Sequence, residues 1–114
     1  MMKNIIVVML LSFVGFTAQA QNMKNKNAKV EFHVSGNCEM CKKRIEKAAL
    51  SVPGVKSADW HMDCGTLYLI VNEQKTDGST IQKSIAKAGH DTDEIKALKE
   101  DYDKLHTCCQ YERK

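Results

Sequence analysis

The chain has 114 residues, 43% of them hydrophobic and 27% charged, with 17 Lys and Arg against 14 Asp and Glu for a formal net charge of +3. That length leaves room for one small domain, and a charge this close to neutral gives no general case for nucleic acid or a membrane surface as a partner. The cysteine count of 5 is odd, so at least one is unpaired within the monomer or serves another purpose.

The first residues read as a targeting segment. Lys3, an apolar run from Ile5 to Phe16 broken only by Ser12 and Gly15, and then Ala18-Gln19-Ala20 follow the order of a secretory signal, with cleavage expected after Ala20. The run is shorter than the roughly twenty residues of a membrane span, and no cysteine follows Ala20 to carry a lipid, so no stable membrane insertion is expected after cleavage. The expected location is periplasmic or secreted. Disulfides are the default for a small chain there, although the periodic apolar segments promise a core of their own.

Residues 21–28, "QNMKNKNA", read as a flexible lead. Val30, Phe32 and Val34 then alternate with Glu31, His33 and Ser35, the pattern of a half-buried strand ended by Gly36 and Asn37. From Cys41 onward Ile45, Ala48, Ala49 and Val52 keep helical spacing until Pro53-Gly54. Val55 to Met62 predicts a second strand with Ala58 and Trp60 on one face, "DCGT" a turn, and "LYLIVN" a third strand with Leu67, Leu69 and Val71 aligned. "TDGST" opens a second helix with a stripe of Ile81, Ile85 and Ala88 and a stop at Gly89. "HDTDEIKA" is a weak fourth strand whose only large apolar residue is Ile95. The expected fold is therefore α+β, a ferredoxin-like βαββαβ sandwich with a four-stranded antiparallel sheet. Residues 98–114 add a tail in which Leu98, Tyr102, Leu105 and Cys109 share a helical face, a short helical extension.

The strand, the Cys38-Glu39-Met40-Cys41 loop, a basic helix ended by "VPGV", a hairpin and a second helix ending in Ala88-Gly89 together resemble the heavy-metal-associated domain family over residues 29–97. The resemblance implies a metal-binding protein and not an enzyme. It also implies a metal-transfer partner such as a metal-pumping ATPase or another metal-binding domain. Two features depart from the family pattern: Gly36 stands where a Met usually precedes the first cysteine by two residues, and the cysteine-bearing tail is extra.

The chemistry of the loop can also be read from the residues. Two thiolates three positions apart at a helix start sit near the positive end of the helix, which favours deprotonation. Such a soft pair suits Cu(I), with Hg(II) and Zn(II) as competitors, and disfavours oxygen-seeking ions. Cys38 and Cys41 are the main expected ligands. The topology brings the hairpin turn with Cys64 and the loop with His90 to the same end. His90 is an expected third ligand or a tuning group, set against a solvated loop histidine. Cys108 and Cys109 are expected either to add thiolates to the same ion, to form a second site, or to form a disulfide. Lys42, Lys43, Arg44 and Lys47 offer a docking face for an acidic partner or merely a solvated helix face.

Two other functions fit a CxxC at a helix start. One is a thiol-disulfide oxidoreductase, disfavoured because the only proline, Pro53, ends the same helix and cannot face the dithiol from a later strand. The other is a disulfide-stabilised structural or binding module.

Overall fold

The alternating apolar residues pair into a sheet as their spacing requires. β1 (Ala28–His33), β2 (Val55–His61) and β3 (Thr66–Val71) form one antiparallel sheet in the order β1-β3-β2. Phe32 and Trp60 both pair with Leu67, so the three side chains stand on one face, and Leu69 and Val71 continue that face along β3. Tyr68, between Leu67 and Leu69, is exposed on the other face. The computed structural model describes residues 24–113. The expected signal segment and the first residues of the lead lie outside the described residues; β1 begins at Ala28, the last residue of that lead.

Two helices supply the other half of the core. α1 (Glu39–Leu50) buries Cys41, Ile45 and Ala49, and α2 (Gly78–Lys87) buries Ile81 and Ile85; all five join Phe32, Trp60, Leu67, Leu69 and Val71 in one cluster. The stripe of α2 differs slightly from expectation: Ala88 is half-buried, and Gln82 and Ala86 are buried instead. Asp77 caps α2 by accepting the Thr80 N–H at 2.8 Å. At its other end the Gly89 N–H bonds Ala86 O and the His90 N–H bonds Ile85 O, the paired bonds of a Schellman turn, with Gly89 at φ +105°. This turn delivers His90 directly into the interior.

The expected fourth strand does not form. Within "HDTDEIKA" only an isolated bridge, Val34 to Thr92, joins the segment to the sheet region, so the sheet has three strands. Its polar side chains take the backbone bonds that a ladder would use. Thr92 Oγ1 donates to Gln82 Oε1 and also lies 2.7 Å from Ile95 O, Gln82 Oε1 accepts the Glu94 N–H, Asp91 Oδ1 accepts the Ala97 N–H, and Asp93 Oδ2 accepts the His33 N–H on the edge of β1. Short polar residues offer the backbone such local alternatives to a sheet.

The tail is also more broken than a single helix. A short helix, α3 (Lys99–Asp103), gives way to a 3₁₀ turn at Thr107–Cys109. Leu105 and Cys109 are buried and Tyr102 half-buried as the shared face predicts, while Leu98 is 62% exposed.

Trp60 ties the layers together. Its indole N–H is shared between Val34 O and Gly65 O, each at 3.1 Å, so one donor joins the exit of β1 to the hairpin turn. Trp60→Phe keeps an aromatic ring but removes that donor, and is expected to lower the unfolding free energy by about 2 kcal/mol in a denaturant titration.

Candidate metal centre

Cys38 occupies the junction between loop and helix. It is the N-cap of α1 in extended conformation, its carbonyl accepts the Lys42 N–H, and Cys41 follows within the first turn, fully buried. The two sulfurs are 3.3 Å apart, and Cys41 Sγ also contacts Asn37 Oδ1 at 3.5 Å.

The tail returns to this loop. Leu105 packs into the core, the Cys109 N–H bonds His106 O, and the 3₁₀ turn sets Cys109 Sγ 3.2 Å and Cys108 Sγ 4.0 Å from Cys38 Sγ. Cys108 and Cys109 are 3.9 Å apart, so Cys38, Cys108 and Cys109 lie within 4.8 Å of one another, a group able to hold a metal ion. Cys38 is thus shared between a loop pair with Cys41 and a tail triad with Cys108 and Cys109. The thioether of Met40, 3.6 Å from Cys108 Sγ, adds a fifth soft atom at the exposed rim. All five cysteines are free thiols.

The sulfurs differ in acidity. Burial works against ionisation of Cys38, but hydrogen bonds from Cys109, from the backbone and thiol of Cys41 and from Cys108 outweigh it and bring the group from 9.0 down to about 7. Cys109 is pushed strongly upward, by burial first and then by its place as donor to its neighbours. The cluster therefore carries one readily formed thiolate, at Cys38, beside a Cys109 inclined to stay protonated. A thiolate is the form that both binds metal and attacks electrophiles.

Packing beneath the loop explains the glycine at position 36. A Cβ there would lie 3.1 Å from Trp60 Cη2, 3.2 Å from Trp60 Cζ2 and 3.1 Å from Cys41 Cβ. The indole of Trp60 fills the space under the loop, and Gly36 is the residue that leaves room for it.

His90 holds the loop from inside. The ring is fully buried, and its Nδ1 lies 2.8 Å from the Ser35 carbonyl, which fixes Nδ1 as the donor. Burial, reinforced by Arg44, holds His90 below the usual histidine range against the opposing effect of the Ser35 bond. Its Nε2 has no hydrogen-bond partner among the described residues, and the nitrogen lies outside the group formed by Cys38, Cys108 and Cys109. The solvated reading of His90 is therefore corrected: the Schellman turn buries it.

The remaining sequence candidates take other places. Cys64 is exposed in the hairpin turn, with its sulfur 4.0 Å from His61 O and apart from the cluster. Lys42 is committed to the fold, donating to Glu46, Asp59 and Trp60 O at 2.7, 3.0 and 2.9 Å. Lys43, Arg44 and Lys47 line a shallow surface groove with Met40 and Ala88 beside the loop.

Residues beyond the cysteines secure the tail. Tyr111 is buried; its hydroxyl donates to Gly89 O and accepts the Asp91 N–H, both at 2.8 Å, while its ring stacks on His90 with centroids 5.7 Å apart. Tyr102 donates its hydroxyl to Tyr111 O at 2.6 Å. Arg113 grips Asp91 with two bonds of 2.8 and 3.0 Å and reaches Ala97 O at 2.7 Å. Sequence reasoning missed Tyr111 and Arg113; an aromatic and a basic residue just past Cys108-Cys109 were the available signal.

The family model for the heavy-metal-associated domain matches residues 31–91. Among solved structures the chain is similar to the CopZ metallochaperone, at 27% identity over 57% of this chain and 98% of that one, with a TM-score of 0.55. Oxidized MerP from Ralstonia metallidurans CH34 aligns at 25% identity over 58% of this chain and 93% of that one, TM-score 0.55. The N-terminal domain of a potential copper-translocating P-type ATPase from Bacillus subtilis, in the Cu(I)-loaded state, aligns at 25% identity over 63% and 99%, again with a TM-score of 0.55. Among curated proteins no sequence matches significantly.

The geometry sets two expectations. Alkylation of Cys38 in the metal-free protein should rise with pH through a midpoint at about 7, because the thiol ionises as pH climbs through that value; Cys109→Ala should move the midpoint upward. Mass mapping of alkylated peptides reads both. Separately, Gly36→Met should cost about 1–3 kcal/mol by overpacking against Trp60, and Trp60→Leu should recover part of that cost in the double variant. Strictly additive unfolding energies would show that the two positions do not compete for space.

Proposed function

The chain belongs to the heavy-metal-associated domain family, and on that footing we propose that it binds a soft metal ion through Cys38 and Cys41 and passes it to a partner by ligand exchange. Cu(I) is the leading cargo, with Hg(II) and Zn(II) as competitors. The observation that carries this reading is the pair of sulfurs 3.3 Å apart at the start of α1, one of them brought down to about 7 and thus ready to bind at neutral pH. The donor set fits the ion class: thiolates and a nearby thioether select soft metals over Mg(II) or Ca(II).

In this reading the ion is cargo and the protein is not an enzyme. An acceptor thiolate forms a bond to the ion as a cysteine thiolate of this chain releases it and takes up a proton, with no change in oxidation state. The partner is a metal-pumping ATPase or another metal-binding domain, a proposal supported by the likeness to the ATPase domain and to the metallochaperone. Export follows from the charged, apolar and small-residue order of residues 1–20. His90 acts as a positioning residue that sets the Ser35 carbonyl and hence the loop.

Competition among Cu(I), Zn(II) and Hg(II) for anaerobically purified protein tests the proposal. Tight Cu(I) binding that Cys38→Ser with Cys41→Ser weakens by at least about a thousandfold is the expected outcome, given a loss of several kcal/mol when both thiolates go. Failure of every soft metal to bind the reduced protein would overturn it.

A further inference from the structure

We propose that the C-terminal tail is a removable half of the metal site: Cys108 and Cys109 close over an ion gripped by Cys38 and Cys41, and Tyr111 and Arg113 latch them there. This inference rests on the reading that a soft ion is the cargo. It concerns residues beyond the family match, which ends at residue 91.

Distances around Cys38 favour a closed site: Cys38, Cys108 and Cys109 lie within 4.8 Å of one another, and Cys41, outside that group, joins it through its contact with Cys38. With metal–sulfur bonds of about 2.3 Å, two thiolates on opposite sides of an ion stand about 4.6 Å apart, three about 4.0 Å and four about 3.8 Å. The contacts of Cys38 with Cys108 and of Cys108 with Cys109, 4.0 and 3.9 Å, match the crowded arrangements. The 3.2 and 3.3 Å contacts of Cys38 with Cys109 and Cys41 need only a modest widening to reach them and a much larger one to reach the opposed pair. Cys109 is as fully buried as Cys41, so it is part of the site's wall.

The latch contains no sulfur and sits on the turn after α2. Tyr111 OH bridges Gly89 O and the Asp91 N–H, and the Arg113 fork meets the Asp91 carboxylate, which is itself only 7% exposed. Arg113 also lies over the Tyr102 ring at 5.0 Å. Gly89 is shaped to receive the tail: a Cβ there would stand 2.8 Å from Asp101 O and 3.0 Å from Leu105 Cδ2. A bidentate charged pair with a buried phenol is a directional clasp, independent of whether metal is bound.

Hand-over then has an added requirement. For each tail thiolate that lets go, one bond from the ion to Cys108 or Cys109 breaks, one bond to an acceptor thiolate forms, and the freed sulfur takes a proton. The tail occupies within the chain the side of the ion that a partner's cysteines must take. It raises affinity and slows release in the absence of an acceptor able to displace it.

The test compares the purified protein with Cys108→Ser/Cys109→Ser, with Arg113→Ala, which keeps every thiol, and with Tyr111→Phe. Affinity is read by competition with a chromophoric Cu(I) chelator and release by excess dithiothreitol. A third readout, alkylation of Cys109 in the metal-free protein, reports the latch without any metal. The double serine variant is expected to lose about a hundredfold in affinity, and Arg113→Ala about tenfold with faster release and about tenfold faster Cys109 alkylation. Should circular dichroism show Arg113→Ala unfolded, Tyr111→Phe and the near-isosteric serine pair carry the test. Unchanged affinity and release in the serine variant, while Cys38→Ser/Cys41→Ser weakens binding at least about a thousandfold, would overturn the inference and leave the functional reading standing. Failure of the unaltered protein to bind any of Cu(I), Zn(II) and Hg(II) would overturn both.

Discussion

Gly89 to Thr92 are four consecutive buried residues following α2, and the site depends on them. On one side they hold the metal loop: Asp91 O accepts the Ser35 N–H, His90 Nδ1–H bonds Ser35 O, and Thr92 bridges to Val34. On the other they hold the tail through Tyr111 and Arg113. Burying so many polar groups is costly unless each is matched, and nearly all of these are. The turn is therefore a rigid spacer that sets the distance between two pairs of cysteines far apart in the chain.

That spacing shapes the chemistry. A two-thiolate grip leaves an ion open to attack by a partner's sulfurs, which suits rapid transfer. Adding Cys109, buried and strongly inclined to stay protonated, and Cys108, exposed at the rim, gives a site in which closure and release compete. Metal binding must displace the Cys109 proton, so occupancy of the full set grows with pH. Cys38 stands at the centre of this balance because each of the other three sulfurs touches it.

Much of this was legible in residues 29–89, where Phe32, Trp60, Leu67 and Ile85 occupy the core positions that their spacing predicts. The fourth strand failed because "HDTDEIKA" has one large apolar residue, Ile95, and several short polar ones whose side chains satisfy the backbone locally. Gly36 was visible as a departure from the family pattern, but its reason lies 24 positions away in the Trp60 ring, which no local pattern reveals. The convergence of Cys108 and Cys109 on Cys38 was an open alternative in the sequence. Their latch was not, since it joins Asp91 to Arg113 through tertiary contact alone.

X-ray absorption at the copper edge of the protein carrying one Cu(I) per chain tests the central claim most directly, because it counts the sulfurs around the ion. The account predicts three or more sulfur neighbours in the unaltered protein and two in Cys108→Ser/Cys109→Ser. Two sulfur neighbours in the unaltered protein would contradict it.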